Sequence, residues 1–118
     1  MNATQIDDNV IVKLSFDFAL SIIVLAEELE LKRKFVIANQ ILKSGTSIGA
    51  NIWEAQNAES KADFIHKMKI SAKECEETKY WLLLCKKSSN YPDCEVLIEK
   101  IEVIQKVLNK IISTSKRH

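Results

Sequence analysis

Four stretches of this chain repeat their apolar residues every three or four positions, and almost nothing within them breaks a helix. In 118 residues there are two glycines, Gly45 and Gly49, and one proline, Pro92. Apolar side chains at that spacing fall along one side of an α-helix, which turns once per 3.6 residues. A β fold of this length would need many tight turns, and the residues that make them are scarce.

The first stretch, residues 9–31, carries Ile11, Leu14, Phe18, Ile22, Leu25 and Leu29 in one stripe, widened by Ala19, Ile23 and Ala26. Asn9, or Asp8 before it, is placed to cap the start. The second, residues 34–57, carries Ile37, Ile41, Gly45, Ile48, Ile52 and Ala55, so both glycines lie inside the pattern. The third, residues 60–88, opens on Ser60 with Asp63 three residues on, a short-armed capping box. Phe64, Met68, Ser71, Cys75, Thr78, Leu82 and Cys85 then alternate at steps of four and three. After "KKSSNYPDCE", Pro92 with Asp93 and Glu95 in the first turn starts a fourth helix, residues 92–114, with Leu97, Ile101, Ile104, Leu108 and Ile111 inward. The tail "STSKRH" is expected to fray.

A chain of 118 residues suits one domain, spanning 1–118, that buries about 65% of its unfolded surface. Four amphipathic helices with short connections predict an all-α, antiparallel up-down-up-down four-helix bundle.

Net charge is +1, which gives no overall pull toward nucleic acid or an acidic membrane. The charge is unevenly spread, however. Residues 1–31 hold Lys13 against six carboxylates, while residues 32–118 hold sixteen basic against ten acidic side chains, so a basic face is expected from the later helices. Cys75, Cys85 and Cys94 are odd in number and lack metal-ribbon spacing, which suits a reducing compartment. The uncharged run Phe18–Ala26 is far shorter than the roughly 20 residues of a membrane span. A cytoplasmic protein with no membrane association is expected.

The stretch "SGTSIGAN" resembles a phosphate loop only superficially, since no lysine follows the second glycine and no strand precedes it. Gly45 and Gly49, one turn apart, instead clear a strip of helix surface for a close neighbour, either another helix of the bundle or another subunit. Along the adjacent face Gln40, Ser44, Ser47, Asn51 and Glu54 form a polar row. That row could be a solvated face, a ligand site, or a hydrogen-bonded seam with Lys73, Glu74 and Glu77 as partners. Asp63-x-x-His66 is the one pairing with metal-ligand spacing, and a helix-start aspartate beside an exposed histidine explains it without metal. The cysteines sit on apolar seams, away from any histidine that could activate them. No catalytic residue, metal or cofactor is expected. Trp53, Tyr80 and Trp81 lie among Lys61, Lys67, Lys69, Lys73, Lys79, Lys86 and Lys87, a mixture that could stack on and neutralise single-stranded RNA, although such aromatics more commonly pack inward.

The segments "SGTSIGANIWEAQNAES" and "DFIHKMKISAKECEETKYWL" closely resemble the four-helix bundle family also called the intervening-sequence or S23 family, whose members include proteins encoded within insertions of bacterial large-subunit rRNA genes. The matching pattern is Ser47-Ile48-x-x-Asn51-Ile52-x-Glu54, then Ser60, Asp63-Phe64, Ile70, Glu74, Glu77 and Tyr80-Trp81-Leu82, within a similarity spanning roughly residues 10–112. The resemblance implies a left-handed antiparallel bundle and a ring-shaped homopentamer. Relatives such as the accessory protein of diversity-generating retroelements look like basic partners of nucleic acid and of a reverse transcriptase. Many relatives place an arginine before the Ser-Ile pair and a glycine after the glutamate, where this chain has Lys43 to Thr46 and Ala55. By this resemblance Ser47, Asn51, Glu54, Glu74 and Glu77 are structural or assembly residues, and Gly45, Gly49 and Trp81 join them on the packing argument above.

Three functions are therefore expected in descending order. The first is a non-enzymatic oligomeric bundle that binds RNA or DNA through Lys61, Lys67, Lys69 and Lys73. The second is a protein-interaction scaffold with no direct nucleic-acid role. The third is an enzyme or metal protein with a pocket lined by Glu54, Glu74 and Glu77.

Overall fold

Each expected helix is present, with its ends set by local chemistry. The computed structural model describes residues 3–118. It contains α1 (Val10–Leu31), α2 (Phe35–Ala55), α3 (Lys61–Lys87) and α4 (Glu95–Arg117), after a short 3-10 helix, Ala3–Asp8, that no apolar period announces. There is no strand among the described residues. Asn9 caps α1, its side-chain oxygen accepting from the Val12 N–H. Ser60 caps α3 by accepting from the Asp63 N–H, while the Asp63 carboxylate accepts from the Glu59 N–H one residue farther back than a full capping box would reach.

The α1–α2 turn closes without a glycine. Arg33 adopts φ 63°, and the Arg33 and Lys34 N–H groups return to the Glu30 and Leu29 carbonyls, a Schellman ending that usually recruits glycine. Pro92 lies outside α4, contrary to the sequence expectation. Asn90 turns the chain at φ 64°, Asp93 accepts from the Glu95 N–H, and Cys94 is the residue before the first turn. The tail also departs from expectation, because α4 continues to Arg117.

Cross-helix contacts fix the direction of every helix. Gly45 faces Ile22 and Gly49 faces Ser15, so α1 and α2 are antiparallel. The Ser71 hydroxyl donates to the Ile48 carbonyl, and Thr78 meets Ser44, which makes α3 antiparallel to α2. Lys86 with Glu95, Lys79 with Glu102, and Glu76 with Gln105 do the same for α3 and α4. Finally, Leu14 and Phe18 share a groove with Val103 and Ile104, whereas Leu25 shares one with Leu97. The helices therefore form an antiparallel ring of four, α2 packing most extensively on its neighbours and α1 least on α4.

Phe18, Ile22 and Leu29 of α1, Ile41, Ile48 and Ile52 of α2, Met68 and Leu82 of α3, and Ile101, Ile104 and Leu108 of α4 fill the core with no solvent exposure to speak of. Two details differ from the sequence stripes. Ile23 points outward and is 41% exposed, whereas Ala26 beside it on the widened side is buried and Ala19 half-buried. On α4, Ile98 and Ile112 are buried while Leu97 and Ile111 are only half-buried. Adjacent apolar pairs offer two overlapping stripes there, and packing selects between them.

Candidate nucleic-acid interface

The polar row of α2 divides three ways in space. Ser44 is wholly buried, its hydroxyl within 3.0 Å of the Gln40 carbonyl and 2.9 Å from the Thr78 hydroxyl, which also lies 2.7 Å from the Glu74 carbonyl. Two hydroxyl protons thus serve three contacts in a dry seam. Ser71 adds a second link, 2.8 Å to the Ile48 carbonyl. The seam partners on α3 are hydroxyls, rather than the charged Lys73, Glu74 and Glu77. Ser47 and Asn51 are half-buried and turn back on their own helix, donating to the Lys43 and Ser47 carbonyls. Glu54 faces solvent.

Gly45 and Gly49 serve α1. A Cβ on Gly45 would stand 2.8 Å from Ile22 Cγ2, and one on Gly49 would stand 3.3 Å from the Ser15 carbonyl oxygen. The strip that they clear is occupied within the bundle.

Glu74 is half-buried at the α2–α3 edge. Loss of hydration, then repulsion from Glu77, raises its carboxyl above the ordinary glutamate range, while Lys43 and Lys73 oppose the rise. Glu77 is exposed. Trp81 packs against the core beside Tyr80, ring centroids 5.3 Å apart and edge to face, with its indole N–H buried and without a hydrogen-bond partner among the described residues. Glu54, Glu74 and Glu77 do not converge on any metal-binding cluster, and no such cluster of histidine, cysteine and carboxylate occurs among the described residues. Asp63 is engaged by Glu59 and by Lys67 at 3.8 Å. Burial pushes the Cys75 thiol up to about 12, and a hydrogen bond to Cys85 raises Cys94 further while lowering Cys85.

The four lysines singled out in the sequence do not form one patch. Lys67 turns toward Asp63, and Lys61 opens α3. Lys69 and Lys73, one turn apart, share the outward face of α3 with Ala62, His66, Glu76, Glu77 and Tyr80. Beside them, α4 brings a group that the sequence pattern marks only as a frayed tail. Lys116 stands close to Lys69, whose positive charge pulls the Lys116 ammonium below the ordinary lysine range. Lys106, Lys110 and Arg117 extend the same end of α4, where no carboxylate follows Glu102. None of these basic groups is in an ion pair among the described residues, whereas Lys79 and Lys86 are held by Glu102 and Glu95. The one sequence signal that could have found the α4 group is the continued helical phase of Leu108, Ile111 and Ile112 into the tail.

Two other surfaces are apolar. Outward on α1 lie Phe16, Leu20, Ile23 and Val24, of which Phe16 also lines an α1–α2 groove of about 250 Å³ with Ala19, Thr46, Ala50 and Trp53. Outward near the end of α3 lie Tyr80, Leu83 and Leu84. No helix of the described residues is long and apolar enough to cross a membrane.

A family model described as 23S rRNA-intervening sequence protein matches residues 7–110. The fold is similar to the crystal structure of a protein of unknown function from the S23 ribosomal protein family of Bacteroides thetaiotaomicron. The TM-score is 0.83 and the identity 43%, over 86% of this chain and 97% of the other. No curated protein matches the sequence.

Proposed function

Because the chain belongs to the 23S rRNA-intervening sequence protein family, we propose that it acts without catalysis, as an oligomeric helical bundle that binds RNA or another nucleic acid along one basic edge. The edge consists of Lys69 and Lys73 of α3 with Lys116 of α4. The observation that carries this reading is the adjacency of Lys69 and Lys116. Two ammonium groups side by side repel each other, and an anion between them relieves that cost. A phosphate backbone supplies anions at regular spacing, and its counterions are released on contact. Lys61 and Lys67 contribute less, since Lys67 is already paired. With three free cysteines, the reading assigns the protein to a reducing compartment such as the cytoplasm.

The test is binding to a fluorescent single-stranded RNA at several salt concentrations. Affinity should fall steeply with salt, and K69E/K116E should reduce the log–log slope by about 0.7 for each phosphate that the variant no longer neutralises. A flat salt response, or an unchanged slope in the variant, refutes the basic edge. The outward apolar residues of α1 and α3 favour a second reading, a protein-interaction scaffold, which a flat salt response would leave standing.

A further inference from the structure

Two of the three cysteines meet where the chain passes from α3 to α4. Cys85 lies in the last turn of α3, and Cys94 immediately precedes the first turn of α4. Both are about 1% exposed and belong to the one core cluster, and their sulfurs are hydrogen-bonded to each other. The next residue along each helix is paired across the same junction, with Lys86 Nζ 2.5 Å from Glu95 Oε1. A surface ion pair and a thiol contact beneath it therefore hold the two helix ends together. Cys75 is different. It stands ten residues before Cys85 on the same helix, about 15 Å along the axis, which is too far for its sulfur to join the pair.

The pair is chemically asymmetric. The Cys94 S–H donates toward the Cys85 sulfur, which favours the Cys85 thiolate against the burial that opposes it, while the same bond and then burial hold the proton on Cys94. Cys85 is thus the nucleophile of the two, and Cys94 the thiol placed to resolve it. The connection between them, residues 88–94, contains no helix, and Ser88, Ser89 and Asn90 are exposed. Within it the Cys94 thiol lies 3.5 Å from the Pro92 carbonyl, and Lys34 sits over the Tyr91 ring at 4.9 Å. Local opening of this short segment admits a small oxidant while the four helices stay packed.

We propose that Cys85 and Cys94 are a modification site, forming a reversible intramolecular disulfide with a hydroperoxide as the oxidant. The Cys85 thiolate attacks one peroxide oxygen, the O–O bond breaks, and hydroxide leaves, giving a sulfenic acid. The Cys94 thiol then attacks the sulfenic sulfur, and its proton departs with the hydroxyl as water. Two electrons pass from the thiols to the peroxide, and a dithiol reductant returns them. The junction lies at the end of α3 and the start of α4, opposite the Lys69–Lys116 end, so this site is independent of the nucleic-acid reading. When oxidised it fastens α4 to α3 covalently.

The test treats the folded, fully reduced wild type with hydrogen peroxide, alkylates it with N-ethylmaleimide in denaturant, and follows intact mass and tryptic peptides. One cysteine, Cys75, should remain alkylatable, and the chain should be about 2 Da lighter before alkylation. The peptide ending at Lys86 or Lys87 should be joined to residues 88–100, and dithiothreitol should separate them. Far-UV circular dichroism should stay helical, and the link should raise Tm by roughly 5–10 °C until it is reduced. C75S should form the same link, whereas C94S should leave Cys85 to proceed to the sulfinic acid. Should either variant fail to fold, the wild-type digest still decides. Three alkylated cysteines after peroxide, a wild-type Cys85 found as sulfinic acid beside an alkylated Cys94, or a link that involves Cys75 or joins two chains would each overturn the proposal. So would a Cys85–Cys94 link that appears only after the helical signal is lost.

Discussion

Gly45→Ala is expected to destabilise the protein even though alanine is the better helix former. Replacing a mid-helix glycine by alanine ordinarily gains about 1 kcal/mol. Here the new Cβ would lie 2.8 Å from Cγ2 and 2.9 Å from Cγ1 of Ile22, and 3.2 Å from its Cδ1. The first two carbons are attached to a branched Cβ that holds one rotamer in a helix, and Ile22 has no exposed surface into which to move. Relief must come from separating α1 and α2, and overpacking of this kind costs about 1–3 kcal/mol. With contacts under 3.0 Å placing the cost at the upper end of that range, the balance should be a loss of about 2 kcal/mol, or roughly 8 °C in Tm for a chain of this size. Gly49→Ala provides the control. Its Cβ would meet the Ser15 carbonyl oxygen at 3.3 Å, a few tenths of an ångström too close, so the propensity gain should roughly offset the crowding. Urea unfolding of both variants at one fixed protomer concentration measures the difference. Ile22→Ala in the Gly45→Ala background should cost less than the two changes summed, because the added methyl then enters vacated space. A Gly45→Ala protein as stable as the wild type, or indistinguishable from Gly49→Ala, would refute the close approach as the reason for glycine.

Thr78→Val keeps the shape of the side chain and removes its hydroxyl from the buried Ser44 contact, and should cost about 1–2 kcal/mol by urea unfolding. Ser44→Ala together with it should cost less than the sum, since both hydroxyls serve one seam. Glu74 gives a pH dependence of defined sign. Its folded-state pKa is raised by burial and by Glu77, so the folded protein holds this proton more tightly and loses stability as pH rises through the range just above ordinary glutamate values. Glu74→Gln should therefore raise the urea midpoint at pH 7 relative to wild type, and leave it nearly unchanged at pH 4. An equal shift at both pH values would contradict the assignment.

The parts of the fold legible in the sequence are those where one choice of face dominates. Ile41, Ile48 and Ile52 have polar or small neighbours on most other sides of α2, and Asn9 and Ser60 precede apolar runs, so face and cap followed from spacing. Ile23 misled because periodicity records which residues are apolar but not which side has a neighbour; an apolar residue facing outward and one facing the core share the same spacing. The choice of Ile98 over Leu97 depended on where α3 and α1 lay, which no local pattern contains. The seam partners Ser71 and Thr78 were visible on the apolar stripe of α3, yet small hydroxyls read as neutral fillers until backbone carbonyls of α2 and α3 are known to await them. The basic edge was the least legible. Lys69 and Lys116 are far apart in sequence, and their adjacency exists only because α4 remains helical to Arg117 and runs antiparallel to α3.

The order in which the helices meet has a kinetic consequence. Three of the four packed seams join helices adjacent along the chain, and only α1 with α4 links distant segments, through the least extensive seam of all. Successive hairpins can form as each helix emerges, with little loop entropy to overcome before contacts reward closure. During synthesis the first three helices can already share Ile22, Ile48 and Met68 in a nascent core while α4 is still being made. Arrival of the last helix then seals Ile101, Ile104 and Leu108 under cover, and in the same motion carries Lys116 to Lys69. An unfinished chain would thus lack the proposed phosphate-binding edge.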